Sequence, residues 1–176
     1  RIWSAGTSIN LRNGQVLFRG GRDQGQYDKD EPVQVAPAAM LVKKEVIEKI
    51  GGFDNQYFAT YEDTDFCFRA KTAGFQTYYA SAAIAYHKLP IGQKEESVRL
   101  LSRAYWVGRN RIIFMKKFGK NFFIFLLFLP VYSMHYLILA VKFKKYRAGL
   151  NFLGGTLIGL VDFPTSEAKI PFSYMW

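Results

Sequence analysis

Twenty-one consecutive residues, Asn121 to Val141 (NFFIFLLFLPVYSMHYLILAV), carry no formal charge when His135 is taken as neutral. No other feature limits the fold so strongly. A run of that length must be buried in a core or given to lipid, because ~20 residues rising ~1.5 Å each cover the hydrocarbon of a bilayer. Pro130 and His135 interrupt it, which leaves open a kinked span, a re-entrant pair of half-helices or a helix lying in plane. Cations flank both ends: Lys116, Lys117 and Lys120 before, Lys142, Lys144, Lys145 and Arg147 after. The positive-inside bias then gives no orientation, and a segment lying in one membrane interface is the expectation. A buried core helix is the competing reading, but such helices rarely carry so many flanking cations. Ala148 to Val161 is a second apolar, Gly-rich helix candidate, and Asp162 to Trp176 reads as irregular around Pro164 and Pro171.

The net charge of +10 is spread unevenly. Up to Arg111 there are 16 basic and 12 acidic residues, but from Ile112 onward 8 basic and 2 acidic. The most apolar part is therefore also the most charge-biased, which suits a surface of anionic lipid. Nucleic acid is the other usual partner of a basic chain. It is not expected here, because no Lys/Arg stripe with stacking aromatics, no zinc-finger spacing and no reader motif is present. With 49% apolar and 17% aromatic residues a sizeable core is affordable. The single Cys67 excludes an internal disulfide and fits a reducing compartment. The chain opens at Arg1 without a signal pattern, as a piece of a longer protein would.

Ahead of that tail, chemistry concentrates between Gly51 and Pro90. Ser8 to Phe18 reads as a hairpin turning at Asn13-Gly14. Gly20 to Glu31 is a polar loop, and its Asp28-Lys29-Asp30 is a solvated stretch, since no apolar strand precedes it to aim both carboxylates at an ion. Val33 to Val42 suits a strand beside a buried site. Lys43 to Ile50 is a short amphipathic helix stopped by Gly51-Gly52. Phe53, Tyr57 and Phe58 are packing residues.

A second helix is expected from Glu62 to about Ala73, capped near Thr60 or Tyr61 and ended by Gly74. Its acids, Glu62, Asp63 and Asp65, could serve only the helix dipole. Alternatively, because Glu62 and Asp63 are adjacent and point apart, one can face a cleft while the other is tied into the fold. Asp65 and Arg69 stand four apart on one face, a structural pair. Phe75 to Tyr86 alternates like a strand and delivers His87, which is a metal ligand, a phosphate partner or an ordinary surface residue. Lys94 to Lys117 should be one helix, with Leu101, Tyr105, Gly108, Ile112 and Met115 in an apolar stripe and Arg103, Arg109, Asn110 and Arg111 on other faces.

The stretch AAMLVKKEVIEKIGGFDNQYFATYEDTDFCFRAKTAGFQTYYASAAIAYHK resembles the acceptor-side half of family 2 inverting glycosyltransferases, rhamnosyltransferase-like members above all. The shared pattern is a small-residue strand, a helix, Gly-Gly-Phe-Asp, an aromatic pair, Glu-Asp-x-Asp, an Arg, a Gly-aromatic, a strand and a His. It extends into WVGRNRIIFMKKFGKN and the apolar tail, and back through the hairpin to GQYD. The resemblance implies an α/β architecture: the C-terminal portion of a GT-A, Rossmann-like domain over residues 1–118, then a hydrophobic, basic, membrane-associating helical tail over 119–176.

It also implies an intact enzyme that moves a sugar from a nucleotide-sugar to a glycan or lipid-linked acceptor with inversion, in cell-envelope polysaccharide synthesis at the cytoplasmic face of the membrane. By similarity Asp63 is the general base and Glu62 orients the site or holds the acceptor. Asp65, Arg69, Arg109 and Asn110 support it, and His87 lies near the divalent metal (Mg or Mn) and the diphosphate. The membrane surface would be met through 121–161. Two departures stand out. Ala36-Pro37-Ala38-Ala39 replaces a usual Gly, and no nucleotide-binding βαβ units or strand-borne D-x-D are seen, so this segment is not expected to turn over alone. A non-catalytic membrane adaptor and a basic nucleic-acid-binding module are the alternatives.

Overall fold

The computed structural model describes residues 1–88 and 93–164. Leu89, Pro90 and most of the expected irregular C-terminus lie outside those residues. Two small antiparallel sheets precede a helical second half. In the first, β1 (Thr7–Ile9) pairs with β2 (Val16–Phe18), Thr7 opposite Phe18 and Ile9 opposite Val16. The turn is longer than a two-residue Asn-Gly connection. Asn10 and Asn13 each accept an amide two residues on, from Arg12 and Gln15, at 2.9 and 3.0 Å, and these local bonds hold a wider loop. Gly14 sits at φ 74° beneath the Phe125 ring, where a Cβ would come within 2.8 Å of it.

In the second sheet β3 (Glu31–Val33) pairs with β4 (Thr77–Tyr79). β3 lies ahead of the strand expected over Val33–Val42 and meets it only at Val33, while β4 covers three residues of the stretch expected over Phe75–Tyr86. After β3 the chain makes a single bridge from Val35 to Thr7, then breaks at Pro37 and at Ala38, whose φ is 67°. After β4, Ser81 leaves the ladder to donate its amide and hydroxyl to Asp30. Residues 82–88 are exposed and irregular. Among the described residues the sheets are thus small and antiparallel, a mixture of helix and sheet rather than a parallel Rossmann-like array.

Helix α1 (Lys44–Ile50) ends on Gly51 at φ 75°. Helix α2 (Glu62–Thr72) carries the acids, and its buried face sets Phe66 and Ala70 against Val46 of α1 and Cys67 and Phe68 against the main core. The expected single helix over 94–117 is two, α3 (Gln93–Ser102) and α4 (Ala104–Phe118). Ser102 donates its hydroxyl back to the Arg99 carbonyl at 2.7 Å, the kind of competing bond that bends a helix.

The apolar run likewise splits into α5 (Phe122–Leu126) and α6 (Leu129–Lys142). Asn121 caps α5 by accepting the Ile124 amide, and Pro130 falls in the first turn of α6, where its missing N–H is no loss. His135 does not interrupt α6. Helix α7 (Tyr146–Val161) returns along α6, with Tyr136 stacked on Phe152 at 4.0 Å.

α4 is the centre of the molecule. From Val107 to Met115 every residue but Arg109 is buried. On one side Ile112, Ile113 and Phe114 meet Tyr61 and Phe68. On the other, α7 comes so close that a Cβ on Gly108 would lie 2.5 Å from the Phe152 carbonyl, and one on Gly159 2.7 Å from that of Arg109. On α7, Gly155 and Gly159 stand four apart, and small residues at that spacing permit such backbone approach.

Candidate active site

The acids of α2 divide into two environments. Asp65 is 0% exposed. Its carboxylate receives Arg69 Nε at 2.6 Å and Lys117 Nζ at 2.7 Å. Arg69 goes on to donate to the carbonyls of Ile50 and Gly52, and Lys117 also reaches Asp54, itself buried. Asp65, Arg69, Asp54 and Lys117 therefore form one network that binds the Gly-Gly-Phe-Asp turn to α2 and α4. A buried charge needs that many partners.

Glu62 and Asp63 stand apart from this network and are only partly buried. Asp63 Oδ1 accepts the Thr64 amide at 2.6 Å and the Thr64 hydroxyl at 3.1 Å. Burial pushes the Asp63 carboxyl above the usual Asp value, while the Thr64 bonds and the Ala38 amide pull against it. Glu62 is also raised, chiefly by burial and then by the neighbouring Asp63, against the pull of its own amide and of Arg103. Its Oε2 is buried without a hydrogen-bond partner among the described residues. Two adjacent carboxyls, both biased towards the proton-bound form, suit proton transfer better than ion pairing.

The backbone around this pair is strained. Among the described residues four non-glycine positions have positive φ, and three of them, Ala38, Ala59 and Tyr61, lie on the two loops beside the acids. Tyr61 is the residue before α2, at φ 71°, and gives no side-chain cap. Such positions cost about 1–3 kcal/mol each and persist only where surroundings enforce them. For Ala59 and Tyr61, on the loop before α2, α4 supplies that enforcement. Asn110, fully buried, donates to the carbonyls of Phe58 and Thr60 at 3.2 and 2.8 Å. Arg109 donates to the Gln56 carbonyl at 2.8 Å and pairs with Asp162 at the end of α7. Arg111 donates to the Tyr61 hydroxyl at 3.3 Å.

Arg109, Asn110 and Arg111 are expected off the apolar stripe, and only the resemblance ties the first two to the site; Asn110 and Arg111 are buried. Lys117, expected as a helix end and a flanking cation, reaches Asp65 and Asp54. The signal was available: cations inside an apolar helix stripe must find buried partners.

His87 is not among these groups. It is exposed on the irregular segment, its ring edge-to-face with that of Trp3 at 4.9 Å between centroids. Among the described residues no group of three His, Cys, Asp or Glu could hold a metal ion. The described residues thus offer no such set of three ligands, and no step below passes through a metal.

A family model described as glycosyltransferase like family 2 matches residues 10–107. That interval takes in β2, the β3–β4 sheet, α1, α2 with the acid pair, α3 and the start of α4, while β1 ends just before it. No curated protein and no solved structure matches the chain.

Proposed function

This chain belongs to the glycosyltransferase-like family 2, and from that premise we propose that the intact protein transfers a sugar from a nucleotide-sugar to a glycan or lipid-linked hydroxyl with inversion, Asp63 acting as general base. The division of the α2 acids carries the reading. Asp65 is committed to the fold, whereas Glu62 and Asp63 remain partly exposed on a helix start held in place by Asn110.

In a single displacement the acceptor oxygen forms a bond to the anomeric carbon as the bond to the nucleoside diphosphate breaks. The acceptor proton passes to Asp63, and the leaving diphosphate departs from the opposite face. In this proposal Glu62, partly exposed beside Asp63, holds the acceptor. Arg109 and Asn110 are positioning residues, since they touch the loop before the acids and not the acids themselves. A Rossmann-like donor domain and a divalent metal belong to the intact enzyme in this proposal, at the cytoplasmic face of the cell membrane.

The test is nucleoside diphosphate release by the full-length protein, supplied with a panel of nucleotide-sugars and a membrane extract as acceptor source. Asp63→Asn should lower turnover at least ~10²-fold with folding intact, the scale of a lost general base. Near-normal turnover would remove the assignment and favour a non-catalytic adaptor.

A further inference from the structure

We propose that α5, α6 and α7 form a docking face for an anionic lipid bilayer, lying in the plane of one interface rather than crossing it. The stretch Phe122–Lys142 is 21 residues long with a mean hydropathy of 2.1, and only 17% of its most apolar window is buried in the protein. Phe123, Leu127, Val131, Met134, Ile138 and Val141 all face outward. α7 adds Leu150, Leu157 and Val161. Length and hydropathy would equally permit a span. The inner face of the same helices decides otherwise.

Over its first half that inner face is fixed to polar protein, and beyond Tyr132 it packs on α7. The amide of Lys120, just before α5, donates to the Leu11 carbonyl at 2.8 Å. Phe125 is fully buried over Gly14. Tyr132 donates its hydroxyl to the Asn13 carbonyl at 2.8 Å, and its ring lies 4.1 Å from the Arg111 guanidinium. Tyr132 is midway along Phe122–Lys142. A crossing helix with this packing would carry Arg111 and the β1–β2 turn to the bilayer centre. Charged groups and irregular backbone are not tolerated against hydrocarbon at that depth. Lying in plane, the helices immerse only the outer apolar stripe and keep the domain in water.

Charge selects the lipid. Lys120, Lys142, Lys144, Lys145 and Arg147 are exposed around the stripe. Among the described residues of the tail the one acid, Asp162, is already paired with Arg109. Cations without acids around an apolar face complement an anionic headgroup layer. This inference does not rest on the transfer chemistry, and its readouts are independent of turnover.

The full-length protein should sediment with phosphatidylglycerol-containing vesicles and far less with pure phosphatidylcholine or at high salt. Neutralising Lys144 and Lys145 to Gln should weaken binding about fivefold for each. Val131→Glu with Ile138→Glu should abolish it while melting is unchanged. In native membranes, Lys120→Cys and Lys145→Cys should react with an impermeant maleimide from the same side, Cys67 being buried. Labelling from opposite sides would establish a span and overturn the proposal. So would a soluble dimer, its apolar faces covered by a second copy, that ignores anionic vesicles.

Discussion

The two halves of this chain treat solvent in opposite ways. Around α2 the protein hides charge: Asp54 and Asp65 are buried, and Arg69 and Lys117 reach in to meet them. Along α5 to α7 it exposes hydrocarbon and surrounds it with cations. Each choice is unfavourable in water taken alone. Buried charge is tolerable only in a closed network, and exposed apolar surface only where a partner removes it from water. The charge network around α2 is therefore closed within the chain, whereas the apolar face of α5 to α7 is shaped for something outside itself. α4 touches both, so the carboxyl pair and the apolar face share one rigid element.

The sharpest break in this comparison is Asp65→Asn. It leaves Lys117 and Arg69 facing a neutral group in a dry site, and stability should fall by about 3–5 kcal/mol, the scale for breaking a buried pair. Chemical denaturation would measure it. An effect under ~1 kcal/mol, the scale of an exposed ion pair, would mean that the network is not closed.

Asp63→Asn, two residues away, should do the reverse. Turnover falls at least ~10²-fold, while the melting temperature holds or rises. The sign follows from the raised carboxyl. The folded chain keeps its proton to a higher pH than the unfolded chain, whose Asp ionises near 3.8. Stability therefore declines as pH climbs through that window, and the cost of the buried charge is full above it. Asn carries no charge to bury. A melting temperature that drops as far as that of Asp65→Asn would place Asp63 with the structural acids.

In the tail, replacing outward Val131 and Ile138 by Glu should change stability by no more than ~0.5 kcal/mol, the range of surface substitutions. A large loss would show that this face packs against protein. The smallest expected effect is at Thr64. Removing its hydroxyl with Thr64→Val takes one hydrogen bond from the ionised Asp63 carboxylate, so the acid limb of kcat/KM should move up in pH, the direction in which burial already pushes that carboxyl. A downward move would contradict the geometry.

What could be read from the residues follows from the range of the forces. The stop of α1 at Gly51, the helical nature of α7 and the pairing of Asp65 with Arg69 are local, set by one glycine or by four-residue spacing. The strand expected over Val33–Val42 failed past Val33 but for a bridge at Val35, since Pro37 has no amide to pair and Ala38 turns to positive φ, and the one over Phe75–Tyr86 ended where Ser81 bonds Asp30. The helix over 94–117 failed at Ser102 for a similar reason. Arg111 was misplaced because helical periodicity reports a stripe but not what lies opposite it.

By itself the sequence determined which segment carries the acids, that they start a helix, and that a long uncharged run ringed by cations must leave water. Only tertiary structure decided which acid is bound into the fold, since Lys117 is 52 residues from Asp65 and Asn110 is 50 from Thr60. It also decided which side of the apolar run is taken by protein. Pairings across such separations obey no period, because they are fixed by how helices pack and not by the order of residues along any one of them.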